Sequence, residues 1–131
     1  MIVVDTNVLA YLLIPGQYTE SAERLLLDEP EWAAPLLWRS ELRNVLATYV
    51  RSKRLEVSDA LALHRRAADL IGAEEYNPET SDVLRLAKAS GCSAYDCEFV
   101  SVAEYLDVKL VTADAKLAKA FKTRALLLSD A

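Results

Sequence analysis

Met1-Ile2-Val3-Val4-Asp5-Thr6-Asn7-Val8-Leu9 opens the chain with an apolar run that meets an acid at its fifth residue. Ile2 to Val4 predict an apolar strand that ends at Asp5. Thr6 to about Leu13 predict a short helix stopped by Pro15-Gly16. A second apolar strand, Asp107 to Thr112, is followed by Asp114 and a helical stretch from Ala113 to Phe121. Two apolar strands, each delivered to an acid and then to a helix, are the signature of a parallel sheet with its ligand edge at the strands' carboxyl ends.

The rest of the chain fills in around these two strands. Thr19 is expected to cap a helix to about Asp28, with Glu20 and Glu23 favourable near its start. Glu31 to Ala34 read as a weak strand, and Pro35 as the opening of a long helix to about Ser52. Ser58 is expected to cap the next helix and Gly72 to close it. Glu74 to Asn77 predict a short strand. Pro78 and Thr80 begin a helix that Gly91 ends. Ser93 with Asp96 has capping-box spacing at the head of a helix to about Leu106, and Ala125 to Leu128 form a last strand. Strands and helices alternate throughout, which implies an α/β fold with helices on both faces of a mostly parallel sheet. With 131 residues, 53% of them apolar, and no linker or repeat, residues 1–131 are expected to form a single domain.

Composition removes several function classes. No basic n-region precedes the apolar start, and no apolar run is long enough to span a bilayer, so no secretory or membrane role is expected. Cys92 and Cys97 read as two free thiols, which suits a cytoplasmic setting. A net charge of −5 argues against charge-driven binding of nucleic acid. The charge is uneven, however. Arg39, Arg43, Arg51, Lys53, Arg54, Arg65 and Arg66 cluster in one stretch opposed only by Glu41, Glu56 and Asp59. Solvated helix faces are the commoner explanation for any one of these arginines.

Four acids are hard to explain as structure: Asp5, Glu41, Asp96 and Asp114. Asp5 and Asp114 follow strands, and for either one alone helix capping weighs as much as function. Asp96 shares a helix face with Phe99, Val100 and Ala103, while Glu98 and Ser101 point to the other side. A carboxylate on a core-facing stripe is costly unless paired or metal-bound. Glu41 borders a stripe of Trp38, Leu42, Val45 and Tyr49, and draws its weight from the other three. Carboxylates that converge need positive charge between them. Hard oxygen donors without clustered His or Cys select Mg²⁺ or Mn²⁺. His64, the one histidine, lies beside Arg65 and Arg66 and reads as a surface residue, which argues against a zinc site or a histidine-based triad. No glycine-rich phosphate loop is present. Metal-assisted phosphodiester chemistry is the reaction class these residues suit.

Four segments together resemble a PIN-domain ribonuclease of the small VapC-type toxin group. They are Val4-Asp5-Thr6-Asn7-Val8-Leu9, Ser40-Glu41-Leu42-Arg43-Asn44, Ser93-Ala94-Tyr95-Asp96 with Val102-Ala103-Glu104-Tyr105-Leu106, and Leu110-Val111-Thr112-Ala113-Asp114. The resemblance implies a three-layer α/β/α fold with a sheet of four or five strands. It implies Asp5, Glu41, Asp96 and Asp114 as the metal and catalytic residues, supported by Asn7 and Thr112, with Glu104 structural. It also implies a Mg²⁺-dependent endoribonuclease acting on single-stranded RNA, with Arg39 or Arg43 steering the backbone. The partners it implies are an antitoxin and a second copy of the chain. An apolar docking groove is expected from Leu12-Leu13-Ile14 and from the helix pair between Pro35 and Gly72. Three alternatives stand beside it. A PIN fold also serves as a binding module without activity. A haloacid dehalogenase-like phosphatase would need a second acid where Asn7 stands. A two-component receiver would need adjacent acids after the first strand and a late lysine, and neither is evident.

Overall fold

The first strand, β1 (Ile2–Val4), lies at the centre of the molecule, buried along its whole length. A computed structural model describes all 131 residues. In chain order the elements after β1 are α1 (Thr6–Leu13), α2 (Thr19–Asp28), β2 (Trp32–Pro35), α3 (Trp38–Arg51), α4 (Val57–Ile71), β3 (Glu75–Tyr76), α5 (Thr80–Ser90), α6 (Ala94–Leu106), β4 (Leu110–Thr112), α7 (Ala115–Ala120) and β5 (Ala125–Leu127). A 3₁₀ turn over Leu128–Asp130 follows. No helix is long and apolar enough to cross a membrane.

The sheet has five strands in the order β3-β2-β1-β4-β5. All four pairings are parallel, so the expected α/β class holds and the sheet is wholly rather than mostly parallel. From β1 the chain steps outward through β2 to β3, then crosses back to β4 and on to β5. Right-handed crossovers, the near-universal hand, therefore put α1 to α4 on one face and α5 to α7 on the other. Contacts agree. α1 packs on α2, α3 and α4, while α6 packs on α5, β1, β2 and β4. The direction of winding reverses between β1 and β4, and the carboxyl ends of those two strands flank the crevice that such a reversal leaves open.

Several boundaries differ from the sequence reading, each for a local reason. Pro35 does not open α3. It is the buried last residue of β2, paired with Tyr76, and the helix begins at Trp38. A strand end tolerates proline because the missing N–H is not needed there. Ser58 does not cap α4. The helix starts one residue earlier, with the Asp59 carboxylate accepting from the Glu56 amide at 3.3 Å. Thr19 lies inside α2 rather than at its cap. Its hydroxyl donates to the Tyr11 carbonyl at 2.7 Å and accepts from the Gly16 amide at 3.0 Å, tying down the α1–α2 turn. β4 begins only at Leu110 because Asp107 closes α6 in the left-handed region, at φ 54°. Gly72 and Gly91 end α4 and α5 with positive φ, as expected.

α6 is more central than its pattern suggested. Ser101 is buried along with Phe99, Val100, Val102 and Ala103, and Glu98 is half-buried, so the helix has no freely solvated side along this stretch. Leu13 is likewise a core residue, whereas Ile14, although mostly buried, lines a groove with Tyr11, Pro15 and Tyr18. His64 is not a free surface residue. Its ring stacks on Trp38 with centroids 5.1 Å apart, and its Nε2 lies 3.1 Å from the Arg39 carbonyl.

Candidate active site

Asp5 sits just past β1, 8% exposed, and both its oxygens are engaged. Oδ1 accepts from the Thr6 amide at 2.8 Å, which caps α1. Oδ2 accepts from the Thr112 hydroxyl at 2.7 Å and more weakly from the Asn7 side-chain amide at 3.4 Å. Thr112 is fully buried at the end of β4, and its oxygen also accepts from the Asp114 amide at 3.0 Å. Asn7 Oδ1 accepts from the Ala113 amide at 3.1 Å. Two short links thus lock the end of β1 to the loop after β4. A one-residue shift in either strand would break both.

Asp114 caps α7 through one oxygen, Oδ1, which accepts from the amides of Lys116 at 2.9 Å and Leu117 at 3.3 Å. Capping is therefore real for both strand-end acids, and it orients them rather than competing with a site. Asp96 enters in the first turn of α6. Only half of the expected capping box forms. The Ser93 hydroxyl accepts from the Asp96 amide at 3.0 Å, but the Asp96 carboxylate does not return to the Ser93 amide. Glu41, on the first turn of α3, accepts at Oε1 from the Thr6 hydroxyl at 2.8 Å.

These four acids line one open pocket of about 510 Å³, together with Thr6, Asn7, Ser40, Asn44 and Tyr95. Electrostatics show that they feel one another. Burial raises Asp5 above its ordinary pKa, against the Thr112 and Thr6 hydrogen bonds, and the charges of Asp96 and Asp114 raise it further. Glu41 is raised by burial, then by Asp5, Asp96 and Glu98, with the Thr6 hydrogen bond opposing. Asp96 is raised by burial and by Asp114, and is eased by Ser93 and by the nearby Lys116. No lysine or arginine forms a salt bridge with any of the four. The donors are hard oxygens, which fit Mg²⁺ or Mn²⁺ rather than zinc. No three of them converge tightly enough to make a ready ligand cage. An ion here would take few protein oxygens and fill its shell with water, the usual habit of Mg²⁺.

The two arginines expected at the site are elsewhere. Arg39 and Arg43 lie on the far side of α3 from Glu41, because a two-residue offset turns a helix by more than half a circle. Both line the groove between α3 and α4. Arg39 is committed to Glu75, donating from Nε at 2.7 Å and from Nη2 at 2.6 Å. Glu104 pairs with Arg85 at 3.1 Å, in keeping with a structural role. Thr6 is the residue that sequence reasoning missed. A small hydroxyl directly after the strand-end acid was the available signal, since a buried hydroxyl must find a partner.

Comparison with known proteins narrows what this geometry belongs to. The chain is 29% identical to ribonuclease VapC3 of Pyrobaculum aerophilum over 92% of its length and 94% of that protein's. The crystal structure of PAE2754 from the same organism superposes with a TM-score of 0.77 at 22% identity, covering 98% of this chain and 90% of that one. FitAcB from Neisseria gonorrhoeae superposes at 0.74 and 19% identity over the whole of both chains. FitAB bound to an IR36 DNA fragment superposes at 0.75 and 18% identity, over 98% and 95%. At those identities the structures speak for the fold. The family model for the PIN domain matches residues 2–122, and the chain belongs to the PIN domain family.

Proposed function

We propose that this chain is a divalent-metal-dependent endoribonuclease acting on single-stranded RNA, and the toxin of a toxin–antitoxin pair. The observation that carries the reading is the pocket in which Asp5, Glu41, Asp96 and Asp114 meet without a salt bridge to any of them at the winding reversal of the sheet. The likeness to a ribonuclease of the VapC group supports it.

Asp5 and Asp96 are the residues that would hold the ion, with Asp114 and Glu41 beside them. An ion held there would supply charge neutralisation at a phosphate and a lowered pKa for a water. The chain's own part is positioning. Thr112 and the Thr6 amide fix Asp5 so that little reorganisation is needed when an ion arrives. Thr6 holds Glu41 by Oε1, which leaves Oε2 to take a proton from water. Asn7 and Thr112 are supporting residues that keep the two strand ends in register. A second copy of the chain and an antitoxin are the expected protein partners. The groove between α3 and α4 suits the antitoxin, with Leu46, Val50 and Ala60 in its lining and Arg39, Arg43 and Arg65 supplying charge.

The test is cleavage of single-stranded RNA with Mg²⁺ supplied. Asp5→Asn and Asp96→Asn each remove a charge at nearly constant shape, and each is expected to lose at least about 100-fold in rate, the scale of a lost charge-stabilising group. Cleavage at the parent rate by both variants contradicts the assignment. The lack of a ready three-acid cage is the one observation that favours the second reading, a PIN-fold binding module. Such a module keeps its partner surface and cuts nothing under the same conditions.

A further inference from the structure

We propose that the groove adjoining the acid pocket is a nucleobase subsite, in which Tyr11, Tyr18 and Tyr49 receive one unpaired base next to the phosphate held over the acids. The inference rests on the nuclease reading and names the feature of the substrate that the chain grips. The groove, about 430 Å³, is continuous with the pocket, since Asn7 and Val45 line both. No charged side chain lines it, and three of the protein's six tyrosines do. An uncharged aromatic wall beside an anionic, metal-suited pocket sorts a nucleotide into its parts. The phosphate goes to the ion and the base goes to the rings.

The wall is held in place before any ligand arrives. Tyr11 and Tyr18 stand with ring centroids 4.8 Å apart at 48°, so Tyr18 is fixed although 46% exposed. The Thr19 hydroxyl ties Tyr11 to the Gly16 turn from beneath. The Arg54 guanidinium, which is not part of the groove's lining, lies over the Tyr49 ring 5.7 Å from its centroid and helps hold that ring. Bases stack on such rings with little sequence preference, but only where the strand is unpaired and its base faces are free. Preference for single strands then follows from these rings, not from the acids. The exposed Gln17 also lines the groove and adds an uncharged polar group to it.

The experiment uses short single-stranded RNA with 2-aminopurine scanned through its positions, against the parent, Tyr18→Ala and Tyr18→Phe. Fluorescence quenching at one position beside the cut is expected with the parent and with Tyr18→Phe, and its loss with Tyr18→Ala. Tyr18→Ala should raise KM about tenfold, within the range of one base–aromatic stack, while kcat stays within about twofold. An abasic nucleotide at that position should slow the parent to the level of the variant and cost the variant nothing more. Unchanged quenching and KM in Tyr18→Ala overturn the subsite, including the case where the groove serves a protein partner instead. Failure of the nuclease reading looks different: quenching that depends on Tyr18 while the parent cuts no RNA.

Discussion

The two sides of α3 handle negative charge in opposite ways. On one side, Glu75 is neutralised within the chain. Arg39 grips it with two nitrogens, Trp38 Nε1 donates to it at 3.2 Å, and its pKa is driven below the ordinary value. On the other side, Glu41 joins Asp5, Asp96 and Asp114 in a pocket with no salt bridge to any of them, and three of the four are pushed above their ordinary values. The first arrangement is complete as it stands and ties α3 to the edge strand. The second is left short of positive charge, which is the feature that the proposed metal-dependent function rests on.

The largest expected effect comes from breaking the completed side. Glu75→Ala strands the Arg39 guanidinium and the Trp38 indole N–H of a half-buried cluster. A loss of about 1–3 kcal/mol in unfolding free energy is expected, discounted for the partial exposure of Arg39. Urea denaturation measures it, and a loss below about 0.5 kcal/mol would mean that the pair is ornamental.

A smaller effect of opposite sign is expected in the acid pocket. Asp96→Asn removes one of the repelling charges, so the metal-free variant should unfold at a higher temperature than the parent at neutral pH. The pH dependence has a definite sign. A carboxyl whose folded pKa is raised contributes stability below its unfolded pKa and loses it as pH rises through the folded value. Metal-free parent should therefore lose stability from about pH 4 upward through the titration of Asp5, Glu41 and Asp96. The advantage of Asp96→Asn should vanish below that point. Glu75 works in the other direction. Its pKa is lowered, so its contribution is present above the unfolded value and fades as pH falls through the folded one. The Glu75→Ala deficit should thus shrink in acid, where the Asp96→Asn advantage also closes. A stability curve for Asp96→Asn parallel to that of the parent across this range would show that Asp96 is not strained by its neighbours.

The smallest effect belongs to Arg43, exposed on the groove side of α3. Arg43→Ala should leave stability within about 0.5 kcal/mol of the parent and leave RNA cleavage unchanged. A large fall in cleavage would return Arg43 to the RNA path despite its distance from the acids.

What the sequence made legible follows the range of the interactions. Asp5 and Asp114 were readable because strand, acid and helix are consecutive, and alternation along the chain was enough to predict a parallel sheet with those acids at its ligand edge. Asp96 was readable as a charge on a buried helix, although α6 is buried more widely than one face. Pairings across the fold were not readable. Arg39 looked available for substrate because Glu75 is 36 residues away, and His64 looked solvated because its stack on Trp38 needs α3 and α4 side by side. The Thr6 link to Glu41 spans 35 residues and was missed for the same reason. Pro35 misled through a local rule about helix starts that the pairing of β2 with β3 overrides.

The most direct test of the account is the unfolding temperature of the purified chain titrated with Mg²⁺ and with Mn²⁺. An ion that binds only the folded protein raises it in proportion to the logarithm of ion concentration. Such a rise is expected in the parent and should be lost in Asp5→Asn. No rise in the parent, or an equal rise in Asp5→Asn, would contradict the claim that these acids await a divalent ion.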